Sequence, residues 1–380
     1  MAKQYKIKRY NSVYRNRKSP LMKLLIALMW LLGIGALVAL GFYGYQSVMD
    51  FIENGGASQS SESSSVSSSA PVSSAVSSSS VPVKQEPVYN GITKAVLLPT
   101  EISGDQLEAF LDDAAENGAN TVVVTYKDAD GIVYHDTSAA LALEGYAVAE
   151  EASDLSEVAK AIKDAGMFPA ALIYGFEDHT VSYQLRDVAG HYKDEDYLWY
   201  DDSPEKGGKA WLNPYNEDAQ AYLLDLAAEA AEIGFEEIIM DGVHFPKGYQ
   251  LDAINFGETN GVSKSDVLRS FADSMSEMLE GKGARLSMVV LASDITSPNG
   301  FTYGSESALE LFDCKIYLDL TETSAENMTA EVTEILTDKT GDFGVMLFDS
   351  GDTAEQLETM KDLGAKSWFI RSWAEEYPLA

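Results

Sequence analysis

An eightfold alternation constrains this chain more than any other feature: a short apolar run, a polar loop, an amphipathic helix and a glycine, repeated between residues 93 and 370. The apolar runs are 93–98, 120–126, 167–174, 236–240, 284–291, 314–320, 343–348 and 366–370. Between them, apolar residues recur three and four apart, as in Leu107, Phe110, Leu111 and Ala114, or Leu155, Val158, Ala159 and Ile162, or Leu223, Leu226, Ala227 and Ala230. That spacing puts one apolar stripe on each helix, to be laid on a sheet. Ser103 with Gln106, Asp154 with Glu157, and Thr353 with Gln356 are spaced as capping boxes. Gly118, Gly166, Gly234, Gly283, Gly341 and Gly364 each precede the next run, where a left-handed helix cap is expected. Near-continuous apolar strands alternating with helices call for parallel pairing covered on both faces. Eight such units predict an α/β fold, a closed (β/α)8 TIM barrel over residues 91–380. An open doubly wound sheet is the alternative.

The chain before the barrel has another character. Residues 1–23 carry eight Lys or Arg and no acid, although the whole chain has a net charge of −33. From residue 24 to 49 there is no charge at all, and a run of about 20 apolar residues is what a bilayer-spanning helix needs. The expectation is a transmembrane helix at 24–49 preceded by a basic cytoplasmic tail; a cleaved signal peptide is the alternative, with a shorter apolar run. The positive-inside rule then sends the acidic remainder outside, making a single-pass protein of the cell membrane with an extracellular C-terminal domain and the lipid bilayer as a partner. Residues 50–90 form a flexible Ser/Pro-rich linker: 15 of the 23 residues in 58–80 are serine, and such a segment buries too little apolar surface to offset its ordering entropy. A surface this acidic repels phosphate backbones, so nucleic acid is excluded as a partner. The single cysteine, Cys314, rules out an intrachain disulfide and a cysteine-based zinc site.

In a parallel barrel the chemistry lies at the C-terminal ends of the strands. Here those ends read Lys127 and Asp128, Glu177 and Asp178, Asp241, Asp294, Asp319 and Glu322, and Asp349. Aspartate also caps and turns at such positions. Yet six consecutive strands ending in acid would crowd carboxyls on one rim, where they must hold unequal pKa values.

Residues 211–246, WLNPYNEDAQAYLLDLAAEAAEIGFEEIIMDGVHFP, resemble a glycoside hydrolase family of uncharacterised specificity whose barrel is similar to that of the alpha-amylase clan. The likeness lies in a Trp-x-Asn-Pro-Tyr loop, a Gly-Phe-x-Glu-Ile helix end, and a strand ending in Asp ahead of Phe-Pro. VVVTYKDADGIVYH and ALIYGFEDH are similar to the family's second- and third-strand segments, and the likeness fades beyond about residue 291. Three departures stand out: His244 replaces the family's Arg, Gly242 its Tyr, and Met288 and Val289 occupy the fifth strand where an acid is expected. Losing Arg removes a fixed fork of donors.

Glycosidic cleavage needs two carboxyl groups. Asp241 is the first candidate, with Asp294, Asp319 and Asp349 as alternatives for the second. Lys127, Asp128, Asp178, His244 and Arg371 are candidate substrate-binding groups at the same rim. The long connection 177–216 is expected to act as a lid or substrate loop, and its aromatics, among them Tyr192, Tyr197, Trp199, Tyr200, Trp211 and Tyr215, suit sugar rings. Trp373 is a similar candidate. The four histidines show no ligand spacing, so neither metal nor cofactor is expected. The reading is an anchored hydrolase acting on a carbohydrate or cell-wall polysaccharide. Its alternative is an inactive barrel serving as an anchored carbohydrate- or wall-binding module.

Overall fold

A computed structural model describes residues 89–371 except 101, 103, 194–196, 322, 324, 339–342 and 348–352. The expected tail, transmembrane helix and most of the linker therefore lie outside the described residues, as do Glu322, Asp349 and Trp373. No described helix is long and apolar enough to cross a membrane.

The eight apolar runs are eight strands: β1 (Lys94–Leu97), β2 (Thr121–Lys127), β3 (Phe168–Tyr174), β4 (Glu237–Asp241), β5 (Arg285–Leu291), β6 (Lys315–Asp319), β7 (Phe343–Leu347) and β8 (Ser367–Ile370). Successive strands pair in parallel, and β1 pairs with both β2 and β8, so the sheet closes on itself. Closure excludes the open doubly wound alternative.

Side-chain alternation along each strand divides the apolar residues into two cores. Ala95, Val123, Leu172, Tyr174, Ile239, Val289, Tyr317, Met346 and Phe369 fill the barrel interior. The residues between them point outward, against the helices, in a larger cluster that holds Val122, Ile238, Met288, Ile316 and Val345. The helix Glu217–Glu232 contributes Tyr222, Leu223, Leu226 and Ala227 to that outer layer, and Lys264–Gly281 contributes Phe271, Met275 and Leu279. Each fully buried side chain of this size stabilises by roughly 1.5–3 kcal/mol relative to exposure.

The helix starts correct the capping expectation. Side-chain caps fall on Asp178, Asn216 and Ser263, which accept from the amides of Val181, Ala219 and Asp266. Asp154 accepts from Ser156 N at 2.9 Å, a local turn just ahead of the helix Ser156–Asp164. Two departures from the simple repeat also appear. A short hairpin arm follows β2, with Val133–His135 antiparallel to β2 and Val148–Ser153 alongside it. A two-stranded ribbon, His191–Tyr192 with Ile254–Asn255, ties the loop after β3 to the loop after β4.

The N-terminal end of the barrel is closed by polar groups. Glu237 accepts from Arg285 Nη2 at 2.8 Å, Ser287 Oγ at 2.6 Å and Tyr317 Oη at 3.1 Å. Lys315 donates to Tyr89 Oη at 2.6 Å and to the Gly91 carbonyl at 2.9 Å, fastening the segment that enters β1. Chemistry is left to the opposite rim.

Candidate active site

The inward alternation carries past the interior core to the C-terminal rim. Two residues beyond Ile239 comes Asp241, beyond Tyr317 comes Asp319, and beyond Phe369 comes Arg371; Tyr174 lies level with Asp241. Strand period alone thus brings two carboxylates, a guanidinium and a phenol to one mouth.

Asp241 is the centre of this group, and 15% of its side chain reaches solvent. Arg371 Nη1 stands 3.8 Å from Asp241 Oδ2. Arg371 Nη2 donates to Tyr174 Oη, and Tyr174 in turn hydrogen-bonds Asp241. The Gly242 amide donates to Asp241 Oδ1 at 2.7 Å. Burial pushes the Asp241 pKa up and Asp319 adds to the push, while Arg371, Tyr174 and the Gly242 amide oppose it, for a value of about 6. Burial acts against the Arg371 charge, but Tyr174, Asp241 and Asp319 outweigh it and keep the guanidinium protonated.

Glu177 sits beside this centre. Gly242 has φ +66°, a left-handed turn that favours glycine, and a Cβ placed on it would lie 3.5 Å from the Cβ of Glu177, so the two strand ends are neighbours. Burial, then the charge of Asp241, raises the Glu177 pKa to about 7. Tyr303 is also close: it is 5% exposed, and burial followed by the charges of Asp294, Asp241 and Asp319 keeps its hydroxyl protonated.

The other candidates divide into two groups. Asp319 is at the mouth, with Oδ1 accepting from Thr321 N at 2.8 Å and Oγ1 at 2.6 Å. Asp294 lies near Tyr303 and pairs with Lys247 at 2.7 Å. His244 is buried against Trp211 and Tyr303, at ring distances of 5.5 and 5.7 Å. Its Nδ1 donates to the Phe245 carbonyl, and burial with Lys247 pushes its pKa down to about 3, so it is a neutral ring. It does not replace a charged guanidinium; the guanidinium beside Asp241 is that of Arg371, from another strand.

Several residues expected to hold substrate are engaged by partners within the protein. Lys127 and Asp178 are wholly enclosed and paired at 3.0 Å; Lys127 also donates to the Tyr174 carbonyl at 2.7 Å, and Asp178 caps the helix His179–Gln184. Gly131 makes room for this pair, since a Cβ there would lie 2.0 Å from Asp178 Oδ1. Asp128 is taken up by a turn, accepting from the amides of Asp130 and Ile132 and from Tyr134 Oη. Trp199 and Trp211 are 0% and 4% exposed and pack with Ile254 in a small core of their own. Trp211 Nε1 donates to Asp201 Oδ2 at 3.1 Å. Tyr215 packs on Phe245 and Phe256 and donates to the Val262 carbonyl at 3.1 Å. The connection 177–216 therefore carries its two tryptophans inward, while Tyr197 stays 66% exposed.

Sequence reading passed over Tyr174 and Tyr303 and gave Glu177 no role. For Tyr174 a signal existed, because counting by twos from Ala170 and Leu172 turns it inward. A cavity of about 1010 Å³ lies away from this mouth, lined among others by His191, Asn213, Tyr215 and Phe256. Among the described residues no group of three or more His, Cys, Asp or Glu is placed to hold a metal ion.

A closed parallel barrel with charged groups gathered at the C-terminal mouth is the plan of many barrel enzymes. Residues 96–307 match the model of a family described as "Putative glycosyl hydrolase domain", more than half the chain, and the protein belongs to that family. The glycoside hydrolase domain of PgaB (BpsB) from Bordetella bronchiseptica superposes with a TM-score of 0.58 at 13% identity, over 74% of this chain and 94% of that one. Alpha-L-fucosidase isoenzyme 2 from Paenibacillus thiaminolyticus gives 0.50 at 14% identity, over 76% of this chain and 48% of its own. A hypothetical protein from Ruminiclostridium thermocellum is 27% identical over 51% of this chain and 96% of its own, with a TM-score of 0.45. The first two likenesses are of fold. No curated protein matches the sequence.

Proposed function

We propose that this protein is a membrane-anchored, extracytoplasmic glycoside hydrolase that cleaves a polysaccharide by carboxylate acid/base chemistry, with Asp241 as the ionised carboxylate. The observation that carries the reading is the setting of Asp241. It is a partly exposed carboxylate on the C-terminal rim, steadied by Arg371, Tyr174 and the Gly242 amide, with further carboxyls close enough to couple to it. Such a group suits the positive charge that develops at the anomeric carbon, either by attacking it or by activating water. The value of about 6 leaves it ionised at neutral pH. The uncharged run at 24–49, the basic cluster ahead of it and the Ser-rich segment at 58–80 support the anchored, outward-facing arrangement.

An anchored binding module without catalysis is favoured by one observation: at Met288 and Val289, where the family resemblance leads one to expect an acid, β5 is apolar, and Val289 is the one that faces the interior. Against it, two of the three tryptophans that would serve such a module as sugar platforms, Trp199 and Trp211, are buried; the third, Trp373, lies outside the described residues. The test is to incubate the full-length protein in detergent with cell-wall polysaccharides and a panel of aryl glycosides and to measure reducing ends. Release by the wild type supports the hydrolase; binding without release supports the module.

A further inference from the structure

We propose that Glu177, at the end of β3, is the proton donor of this hydrolysis, taking the place of the acid that the fifth strand lacks. The inference rests on the hydrolase reading and adds a named group to it.

The geometry begins with the ladder between β3 and β4, which runs on past both strands. Gly175 N donates to the Asp241 carbonyl at 2.7 Å and Phe176 N to the Gly242 carbonyl at 3.1 Å. Phe176 turns outward, its ring 5.2 Å from Phe271 on the covering helix. The next residue, Glu177, is thereby left beside Gly242, its Cβ 3.5 Å from where a Cβ on Gly242 would lie, and within reach of the Asp241 charge. On the other flank of Asp241, β5 offers only Val289 in register with it and Leu291 above. Of the two strands flanking β4, only the third thus brings an acid to Asp241; Asp319, which also acts on Asp241, comes from the sixth strand.

The state of Glu177 fits the role. Among the described residues no hydrogen bond or ion pair holds its carboxyl. The charged groups around it are Asp241, Lys209, Asp201 and Lys127. Lys209 is turned to Asp130 at 2.7 Å and Lys127 to Asp178 at 3.0 Å, so neither cation is its dedicated partner. A carboxyl that is largely buried beside another carboxylate keeps its proton near neutrality, here to about 7. The other acids differ: Asp294 is paired with Lys247, and Asp319 accepts from Thr321.

As the bond between the anomeric carbon and the glycosidic oxygen breaks, its electron pair stays on the oxygen. The Glu177 proton completes the departing hydroxyl, and Asp241 faces the positive charge left on carbon. Water then supplies the hydroxyl that ends on the anomeric carbon, and its remaining proton returns the enzyme to its starting state.

The experiment compares full-length wild type with Glu177→Gln on the polysaccharide, the 4-methylumbelliferyl glycoside and the 2,4-dinitrophenyl glycoside of whichever sugar the wild type cleaves. The variant is expected to lose on the order of 10²–10⁴-fold in kcat on the polysaccharide but no more than about tenfold on the dinitrophenyl glycoside, whose leaving group needs no proton. Equal losses on all three, or none, would overturn the proposal and leave the hydrolase reading standing. If the wild type cleaves nothing, both fall together. A second readout does not depend on turnover: with 13C-labelled glutamate carboxyls, the resonance absent from Glu177→Gln should titrate near 7 and move lower in Asp241→Asn. Titration in the ordinary carboxylate range would overturn the assignment even if hydrolysis is observed.

Discussion

Arg371 and Asp241 meet across the mouth of the barrel: they stand at the ends of β8 and β4, opposite strands in the closed ring, yet Nη1 of one lies 3.8 Å from Oδ2 of the other. Tyr174, next to Asp241 on β3, accepts from the same guanidinium. The three groups span the opening.

This contact sets the acidic side of the pH profile. Arg371 lowers the pKa of Asp241, so its removal must raise it above the present value of about 6. In Arg371→Met the acidic limb of kcat/KM should move to higher pH, with activity at pH 6 falling more than activity at pH 8. An unmoved limb would mean that Arg371 does not act on the ionisation that governs catalysis.

The two raised carboxyls also leave a mark on stability. Their folded-state values, about 6 for Asp241 and about 7 for Glu177, exceed the ordinary 3.8 and 4.5. The native protein thus holds these protons more tightly than the unfolded chain. That contribution is full below the ordinary values and is lost as pH rises through about 6 and 7. Asp241→Asn and Glu177→Gln should therefore match or exceed the wild type in urea unfolding at pH 7.5, by about 1–2 kcal/mol. The difference should shrink toward pH 4. A variant markedly less stable at pH 7.5 would show the side chain to be a structural cap.

Asp178 should behave in the opposite way. It is the enclosed partner of Lys127 and the cap of a helix, so Asp178→Ala leaves a buried ammonium uncompensated and should cost about 3–5 kcal/mol. Gly131→Ala should also destabilise, because φ +90° and the 2.0 Å approach to Asp178 leave no room for a methyl group. Urea midpoints decide both. A stable Asp178→Ala protein with weakened glycan binding would return this residue to the substrate site.

The fold was legible because its signals are periodic: apolar runs such as 167–174 and 284–291 became strands, and Gly118, Gly166 and Gly234 took the left-handed caps expected of them. At the site, the sequence marked Asp241, Asp319 and Arg371 by their places at strand ends. It could not separate Glu177 from Asp178, since adjacent residues point opposite ways and only the turn after Tyr174 decides which enters the mouth. Trp199 and Trp211 misled for a related reason: an aromatic in a long connection can face sugar or build the loop's own core, and the ribbon at His191–Tyr192, formed with a distant segment, settles that here.

The anchored topology has its own test. Protease added to intact cells should release the acidic domain by cutting within the serine-rich stretch 58–80, leaving the N-terminal piece in the membrane fraction. A domain that is protected until the cells are lysed would contradict the outward-facing arrangement.

Whether Asp241 carries hydrolysis is decided by comparing full-length wild type with Asp241→Asn on the same polysaccharide, measuring reducing ends released and polysaccharide bound. Steady release is expected from the wild type and, in the variant, a loss of at least about 10³-fold in kcat with binding and melting temperature retained. Equal release by the two proteins, or none by the wild type while both bind, would contradict that role.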